Sequence, residues 1–323
     1  MRAALYRTMG SSKVLSVEEI ETPEPGPGEV RARISCSGVN PIDWKRRSDT
    51  PVPPSDLFQV PNFDGSGVID AVGAGVTSYR PGDRVWLYLA AADNRYGTAA
   101  EYSVVRSERA VLLPDNASDQ LGASLGAPAL TAAYCLGGNA DALSGASVLI
   151  AGGAGAVGHF AIELAKQAGA QVVTTVSSEE KAVLARAAGA DLVVDYRDAR
   201  AAAEIRSFAP RIDRIVEVAL GANLDLDMSI STQGTVIVVY STDDSEPAIP
   251  TLRLMIANVT VEYVLLYTAP KLKLAAAVAW TSAAVKAGAL SELPAHRFSL
   301  DEVAAAHDAV ERHAVGKVFV MPG

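Results

Sequence analysis

Two patterns of apolar and polar positions divide the chain. Up to about residue 115, short β-branched runs sit between Pro and Gly breakers, from Pro23-Glu24-Pro25-Gly26-Pro27-Gly28 to Pro81-Gly82-Asp83, which predicts a region of short strands. After about residue 118, apolar runs of strand length alternate with Ala-rich helical stretches, the βαβ pattern of a parallel sheet. Strands are expected at 147–151, 171–176, 191–195, 213–218, 235–240 and 259–266, and helices at 157–168, 179–188, 199–208 and 223–230. Gly169 and Gly189 fall where helix-ending glycines belong. From about Lys271 the alternation stops, leaving an Ala-rich helix, a helix over 301–312 and a closing strand Lys317-Val318-Phe319-Val320. This tail is expected to return to the first region. The division predicted is 1–118 with 268–323 in one domain and 119–267 in the other.

Composition removes several classes of function. A chain of 323 residues is long enough for about two domains, and 49% apolar against 20% charged residues excludes a disordered chain. With 28 basic and 37 acidic side chains the formal charge is -9, which argues against nucleic acid or an anionic membrane as a partner. Cys36 and Cys135 form no close-spaced cluster, so zinc fingers, thiol redox pairs and disulfide scaffolds are set aside. No signal-peptide core precedes Gly10 and no run approaches about 18 uninterrupted apolar residues. The expectation is a soluble cytoplasmic protein.

The strongest motif lies at the first strand-to-helix junction of the alternating region. Val148-Leu149-Ile150-Ala151 runs into Gly152-Gly153-Ala154-Gly155-Ala156-Val157-Gly158, in which Gly153, Gly155 and Gly158 satisfy G-x-G-x-x-G. Glycines there permit a tight turn and close approach to a pyrophosphate, whose charge suits a helix N-terminus. An NAD site usually ends its second strand with an acid that binds the ribose. Here that strand ends Thr175-Val176-Ser177-Ser178, with Lys181 one turn into the next helix. Hydroxyls and a cation admit a 2'-phosphate, which favours NADPH over NADH. The same stretch also reads as a capped, solvated helix start.

Across its whole length the chain resembles the zinc-free quinone oxidoreductase and ζ-crystallin branch of the medium-chain dehydrogenase/reductase superfamily. The resemblance rests on Gly38-Val39-Asn40-Pro41-Ile42-Asp43, Pro61-Asn62-Phe63-Asp64-Gly65-Ser66-Gly67-Val68, Pro81-Gly82-Asp83-Arg84-Val85, the Ala100-Glu101-Tyr102 ending, Leu130-Thr131-Ala132-Ala133-Tyr134, the glycine motif and Gly316-Lys317, in that order. It implies an α/β protein with a GroES-like β-rich catalytic domain made from both chain ends and a doubly wound Rossmann domain between them. It further implies a cleft for cofactor and substrate, and a homodimer. Zinc members of the superfamily carry Cys where this chain has Asn40 and Gly-His-Glu where it has Asn62-Phe63-Asp64. An amide and a phenyl ring do not replace those ligands, and 90–101 contains no cysteine for a structural zinc, so no metal is expected.

The same resemblance assigns Lys181, Tyr196 and Ser177 to the 2'-phosphate. It places Pro41, Ile42, Asn40 and Thr131 near the nicotinamide, and Tyr240, Ser241, Leu265, Leu266 and Tyr267 around its carboxamide. Gly152, Ala154, Gly155, Ala156, Val157, Gly158 and Lys317 complete the expected cofactor contacts. The activity implied is hydride transfer from NADPH to a quinone or an α,β-unsaturated carbonyl, with hydrogen bonds in place of a Lewis acid. The alternatives are an enoyl or acrylate-type reductase of the same superfamily and a non-catalytic, crystallin- or sensor-like NADPH binder.

Asn40, Lys45 and Thr131 are the catalytic candidates. Asn40 reads either as a hydrogen-bond donor or as the shaper of the turn before Pro41. Lys45 stands where quinone reductases often have Tyr; it reads as a proton donor or anion contact, or as part of a solvated basic face with Arg46 and Arg47. Gly122-Ala123-Ser124-Leu125-Gly126 matches G-x-S-x-G but lacks the preceding strand of a hydrolase elbow. His159 reads as a packing or solvated residue, and His296, His307 and His313 carry no ligand pattern. Asp43 and Asp64 read as buried structural acids.

Overall fold

The computed structural model describes residues 1–52, 57–242 and 246–323. They form two compact units, Met1–Ala127 with Glu292–Gly323, and Pro128–Ser291. These changeover points differ from the 118 and 268 expected from sequence. Residues 119–127 fold with the first unit because Asp64 accepts the Ala127 N–H at 2.7 Å and Ser66 Oγ donates to the Asp119 carbonyl. The helix Lys271–Lys286 belongs to the second because it packs on the helices Leu130–Cys135 and Ala156–Gln167.

The first unit is built on a seven-stranded sheet around the long strand Glu29–Val39. Its neighbours run antiparallel, including Lys317–Met321 from the chain's far end, registered Val318 to Val39. Both chain ends therefore share one core, in which Ala3, Leu5, Val39, Val303, Val318 and Val320 are all buried. The region is not all strand. Pro41–Asp49 is a helix with Pro at its first position, where a missing N–H costs nothing.

The second unit is a six-stranded parallel sheet in the order Leu192–Asp195, Gln171–Val176, Ser147–Ala151, Arg214–Glu217, Val236–Val239, Thr260–Tyr263. Chain order reverses beside Ser147–Ala151, the switch point where doubly wound sheets bind ligands at their carboxyl edge. Strand interiors are Val- and Ile-rich because both faces are covered. The last strand ends at Tyr263, earlier than the 266 expected, and a short turn Leu266–Thr268 follows. A helix Thr251–Ile256 precedes it that the sequence pattern did not suggest. Among the described residues no helix is long and apolar enough to cross a membrane.

Candidate active site

In the parallel-sheet unit, the glycine motif caps the switch-point strand. The left-handed residue of the turn is Gly152, at φ +70°, so the tight-turn role falls one position before the first motif glycine. Its N–H and that of Gly153 both donate to the Thr175 carbonyl, at 3.1 and 3.2 Å. Gly153 and Gly158 are required by proximity. A Cβ on Gly153 would lie 2.1 Å from Thr174 Oγ1, and one on Gly158 would lie 2.3 Å from the Gly152 carbonyl oxygen. Gly155 is the N-cap of the helix Ala156–Gln167, whose first turn carries no acidic residue. Its leading N–H groups, on Ala156 and Val157, lack carbonyls one turn earlier in the helix. This cradle of backbone donors, lined only by small apolar residues and free of negative charge, fits a pyrophosphate.

One strand away, two cations reach Ser177. Lys181 Nζ donates to Ser177 Oγ at 3.0 Å, and Ser178 caps the helix Glu179–Ala187 by accepting the Lys181 N–H. Arg197 Nη2 donates to the Ser177 carbonyl and pairs with Asp195 at 2.7 Å, while its guanidinium stands 6.0 Å from the ring centre of half-exposed Tyr196. The Arg197 hydrogen bonds pull the Asp195 carboxyl down to about 2. Sequence reasoning missed Arg197, although its place directly after Tyr196 at the end of the third strand was a usable signal. Tyr240 and Ser241 follow the fifth strand, and Leu265, Leu266 and Tyr267 follow the sixth, so both groups lie beyond the same carboxyl edge. Thr131 is buried on the helix Leu130–Cys135.

The first unit contains a separate buried cluster around Asn40. The Asn40 amide, 4% exposed, donates to Asp64 Oδ2 at 2.7 Å and accepts from Lys317 Nζ at 2.5 Å. Lys317 also donates to the Val39 carbonyl at 3.0 Å. Asp43 accepts the Asn40 and Phe63 N–H groups, at 2.6 and 3.1 Å. It thereby binds the N-cap backbone as the third residue of a capping box, while the Asn40 side-chain amide N–H is given to Asp64. Burial pushes both carboxyls up, Asp43 further through the nearby Asp64 charge, and burial lowers Lys317. Gly126 must lack a side chain because its Cβ would fall 2.0 Å from Asp64 Oδ1. The G-x-S-x-G match therefore joins the helix Asp119–Gly122 to the helical segment Leu125–Ala129, and its last glycine seats a carboxylate.

The basic run after Asn40 is not a solvated face. Arg47 is fully buried and donates to the Gly10 carbonyl and to His307 Nδ1, at 3.1 and 3.0 Å. His307, pushed down to about 3 by burial and the Arg47 charge, is neutral. Its other nitrogen donates to Asn62 Oδ1 at 3.0 Å, which fixes the left-handed Asn62, at φ +73°, before Phe63. Arg46 donates to the Ala91 carbonyl. Lys45 is half-exposed, 5.8 Å from the Trp44 ring centre. In the second unit, His159 is buried against Glu163 and Ser291.

A parallel sheet in this order, with a glycine turn at its switch point and inserted in the sequence of a β-rich unit, defines an oxidoreductase of the medium-chain dehydrogenase/reductase class. Comparison with known proteins agrees. Residues 26–115 match the alcohol dehydrogenase GroES-like domain and residues 156–283 the zinc-binding dehydrogenase domain. Quinone oxidoreductase from Lama guanicoe is 30% identical over 327 residues, covering 99% of this chain and 97% of its own. A mycobacterial protein solved with NADPH is 28% identical with a TM-score of 0.84, and an NAD-dependent alcohol dehydrogenase is 27% identical with a TM-score of 0.87, both over the whole of each chain. The chain belongs to the quinone oxidoreductase family.

It is a zinc-independent member by its donor set. Asn40 and Phe63 stand at the expected zinc-ligand positions, and the Asn40 oxygen is held by an ammonium. Among the described residues, no three His, Cys, Asp or Glu side chains are grouped to hold a metal.

Proposed function

We propose that the chain is an NADPH-dependent reductase of quinones or α,β-unsaturated carbonyls. The observation that carries the cofactor choice is the meeting of Ser177, Lys181 and Arg197 where an NAD enzyme places a carboxylate. A 2'-phosphate there gains charge-assisted hydrogen bonds and meets no acid at Ser177. The glycine turn and the start of the helix Ala156–Gln167 hold the pyrophosphate. Tyr240, Ser241 and residues 265–267 border the nicotinamide, which supplies the hydride. Polarisation of the acceptor carbonyl falls to hydrogen-bond donors. Asn40 is the positioning residue that fixes the turn before Pro41, and Lys45 is the remaining candidate donor on that helix.

The test is oxidation of NADPH and of NADH with benzoquinone, phenanthrenequinone, an acyclic enone and an acrylate, with and without chelator. Lys181→Ala is expected to raise the KM for NADPH roughly 10- to 100-fold, the loss of a hydrogen bond to a charged group, while leaving the KM for NADH nearly unchanged. An equal rise for both cofactors would refute the phosphate assignment. The best acceptor separates a quinone from an enoyl reductase, and NADPH binding without turnover on any acceptor would point to a sensor or structural protein.

The reading includes a cytoplasmic homodimer. Cys36 and Cys135 are free and buried, and burial pushes both thiols up to about 12, in keeping with a reducing compartment. The strand Thr260–Tyr263 is a sheet edge, with Tyr263 70% exposed, and Leu252, Met255 and Ile256 of the preceding helix are about as exposed. A bare edge beside apolar side chains suits a second copy across a two-fold axis. Leu252→Glu with Ile256→Glu is expected to yield a folded monomer by sedimentation, whereas unchanged mass would move the interface elsewhere.

A further inference from the structure

We propose that Arg47 and His307 are positioning residues for the reduction, and that they act on Asn40 through a one-way chain of buried hydrogen bonds ending on Asp64. Arg47 Nη1 meets His307 Nδ1 at 3.0 Å, and His307 Nε2 meets Asn62 Oδ1 at 3.0 Å. Asn62 Nδ2 then donates to Ser37 Oγ at 2.9 Å. Ser37 Oγ lies 2.8 Å from Thr98 Oγ1, and Thr98 Oγ1 donates to the Asp64 carbonyl at 2.5 Å. Every residue in the series is fully buried.

The direction is fixed from both ends. A guanidinium only donates, so His307 Nδ1 accepts, the ring is neutral and Nε2 carries its proton. That proton needs an acceptor, which turns the Asn62 oxygen toward His307 and its amide N–H toward Ser37. At the far end the Asp64 carbonyl only accepts, so the single Thr98 hydroxyl proton goes to it and the Ser37 proton goes to Thr98. Every donor points from Arg47 toward Asp64. No link can be reversed without reversing its neighbours, so the charge on Arg47 sets the orientation of side chains that lie far from it in sequence.

What the chain braces is the segment Asn62-Phe63-Asp64. Asn62 is left-handed at φ +73°, a conformation that needs support from its surroundings, and its side chain is clamped between His307 and Ser37. Thr98 holds both ends of the segment, with its N–H on the Asn62 carbonyl at 3.0 Å and its hydroxyl on that of Asp64. Asp64 Oδ2 in turn accepts the Asn40 side-chain amide at 2.7 Å. If the His307 proton is withdrawn, the Asn62 amide is free to turn over. Ser37 then donates to Asn62 and Thr98 to Ser37, and the Asp64 carbonyl loses the Thr98 proton.

The inference rests on the reductase reading above, in which Asn40 fixes the turn before Pro41, and its test has one arm that needs no activity. Two amide substitutions each copy one ring nitrogen. His307→Gln reaches the place of Nε2 and keeps a donor to Asn62, whereas His307→Asn reaches the place of Nδ1 and keeps only the acceptor for Arg47. His307→Gln is expected to hold kcat within about threefold of native, and His307→Asn to lose roughly 10- to 100-fold, the scale of a small displacement at a reacting centre. Calorimetric affinity for NADPH should be unchanged in both, because the glycine cradle belongs to the other unit. A merely structural role would lower the melting temperature of both variants and leave their kcat alike, and equal kcat overturns the positioning role. In the other arm, magnetic resonance of the protein with nitrogen-labelled histidine is expected to show His307 neutral and protonated on Nε2, its signal assigned by its absence from His307→Gln. A proton on Nδ1, or a cation at neutral pH, overturns the chain. A native protein that shows the expected tautomer yet reduces no acceptor refutes the reductase reading instead. Should His307→Asn not fold, Thr98→Val, which removes the last donor and keeps the side chain's shape, is expected to show the same loss, and a native kcat there overturns the role.

Discussion

Gly158→Ala is expected to weaken NADPH binding by roughly one to two orders of magnitude, the equivalent of about 1–3 kcal/mol of overpacking moved into the binding loop. In an ordinary helix this change gains about 1 kcal/mol. Here the new methyl would sit 2.3 Å from the Gly152 carbonyl oxygen and 2.8 Å from Gly153 Cα. Both are backbone atoms, so no side chain can swing away, and the turn must open at the point where its N–H groups converge. Gly155→Ala is the matched control for the turn, because its Cβ would meet only the Gly152 oxygen, at 3.3 Å, and its φ of -75° suits any residue. Thermal melting should therefore rank Gly158→Ala well below Gly155→Ala, with calorimetric titration reading the affinity. Binding by Gly158→Ala within about threefold of native would mean the cradle does not hold the nucleotide.

The contrast between those two glycines also marks what the sequence discloses. The strand Ser147–Ala151 was legible to the residue because an unbroken apolar run is fenced by glycines, and the cradle follows from its context. The left-handed Gly152 was not, since a motif records which residues are small and not which one bears the turn. The helix Pro41–Asp49 had a signal in Asn40-Pro41 with Asp43 three positions after the cap, but its basic, short sequence gave no apolar stripe. Arg47 with His307 was out of reach, since 260 positions separate them and only the fold joins them. The surroundings of Asn40 depend in the same way on the register that sets Val318 beside Val39.

That register makes Lys317→Met the most damaging substitution expected in the first unit, with a cost of about 3–5 kcal/mol near pH 8, because it strips the donor from the buried Val39 carbonyl and Asn40 Oδ1 and removes the cation that restrains two buried carboxyls. Asp43 is pushed up to about 8 and Asp64 to about 6, chiefly by burial, and the Lys317 charge restrains both. The folded state thus holds these protons more tightly than the unfolded one. Stability falls as pH rises from about 4 through the raised values, by up to about 1.4 kcal/mol per pH unit for each proton. Without the ammonium both acids rise further, so the loss is steeper and continues to higher pH. Near pH 5 both carboxyls are protonated in either protein, and the native ammonium has lost its counter-charges. The gap should then shrink to the two lost hydrogen bonds, about 1–3 kcal/mol. Urea unfolding of both proteins across this range reads the prediction directly, and a gap that stays constant with pH would show that Lys317 acts through its hydrogen bonds and volume and not through its charge on the two acids.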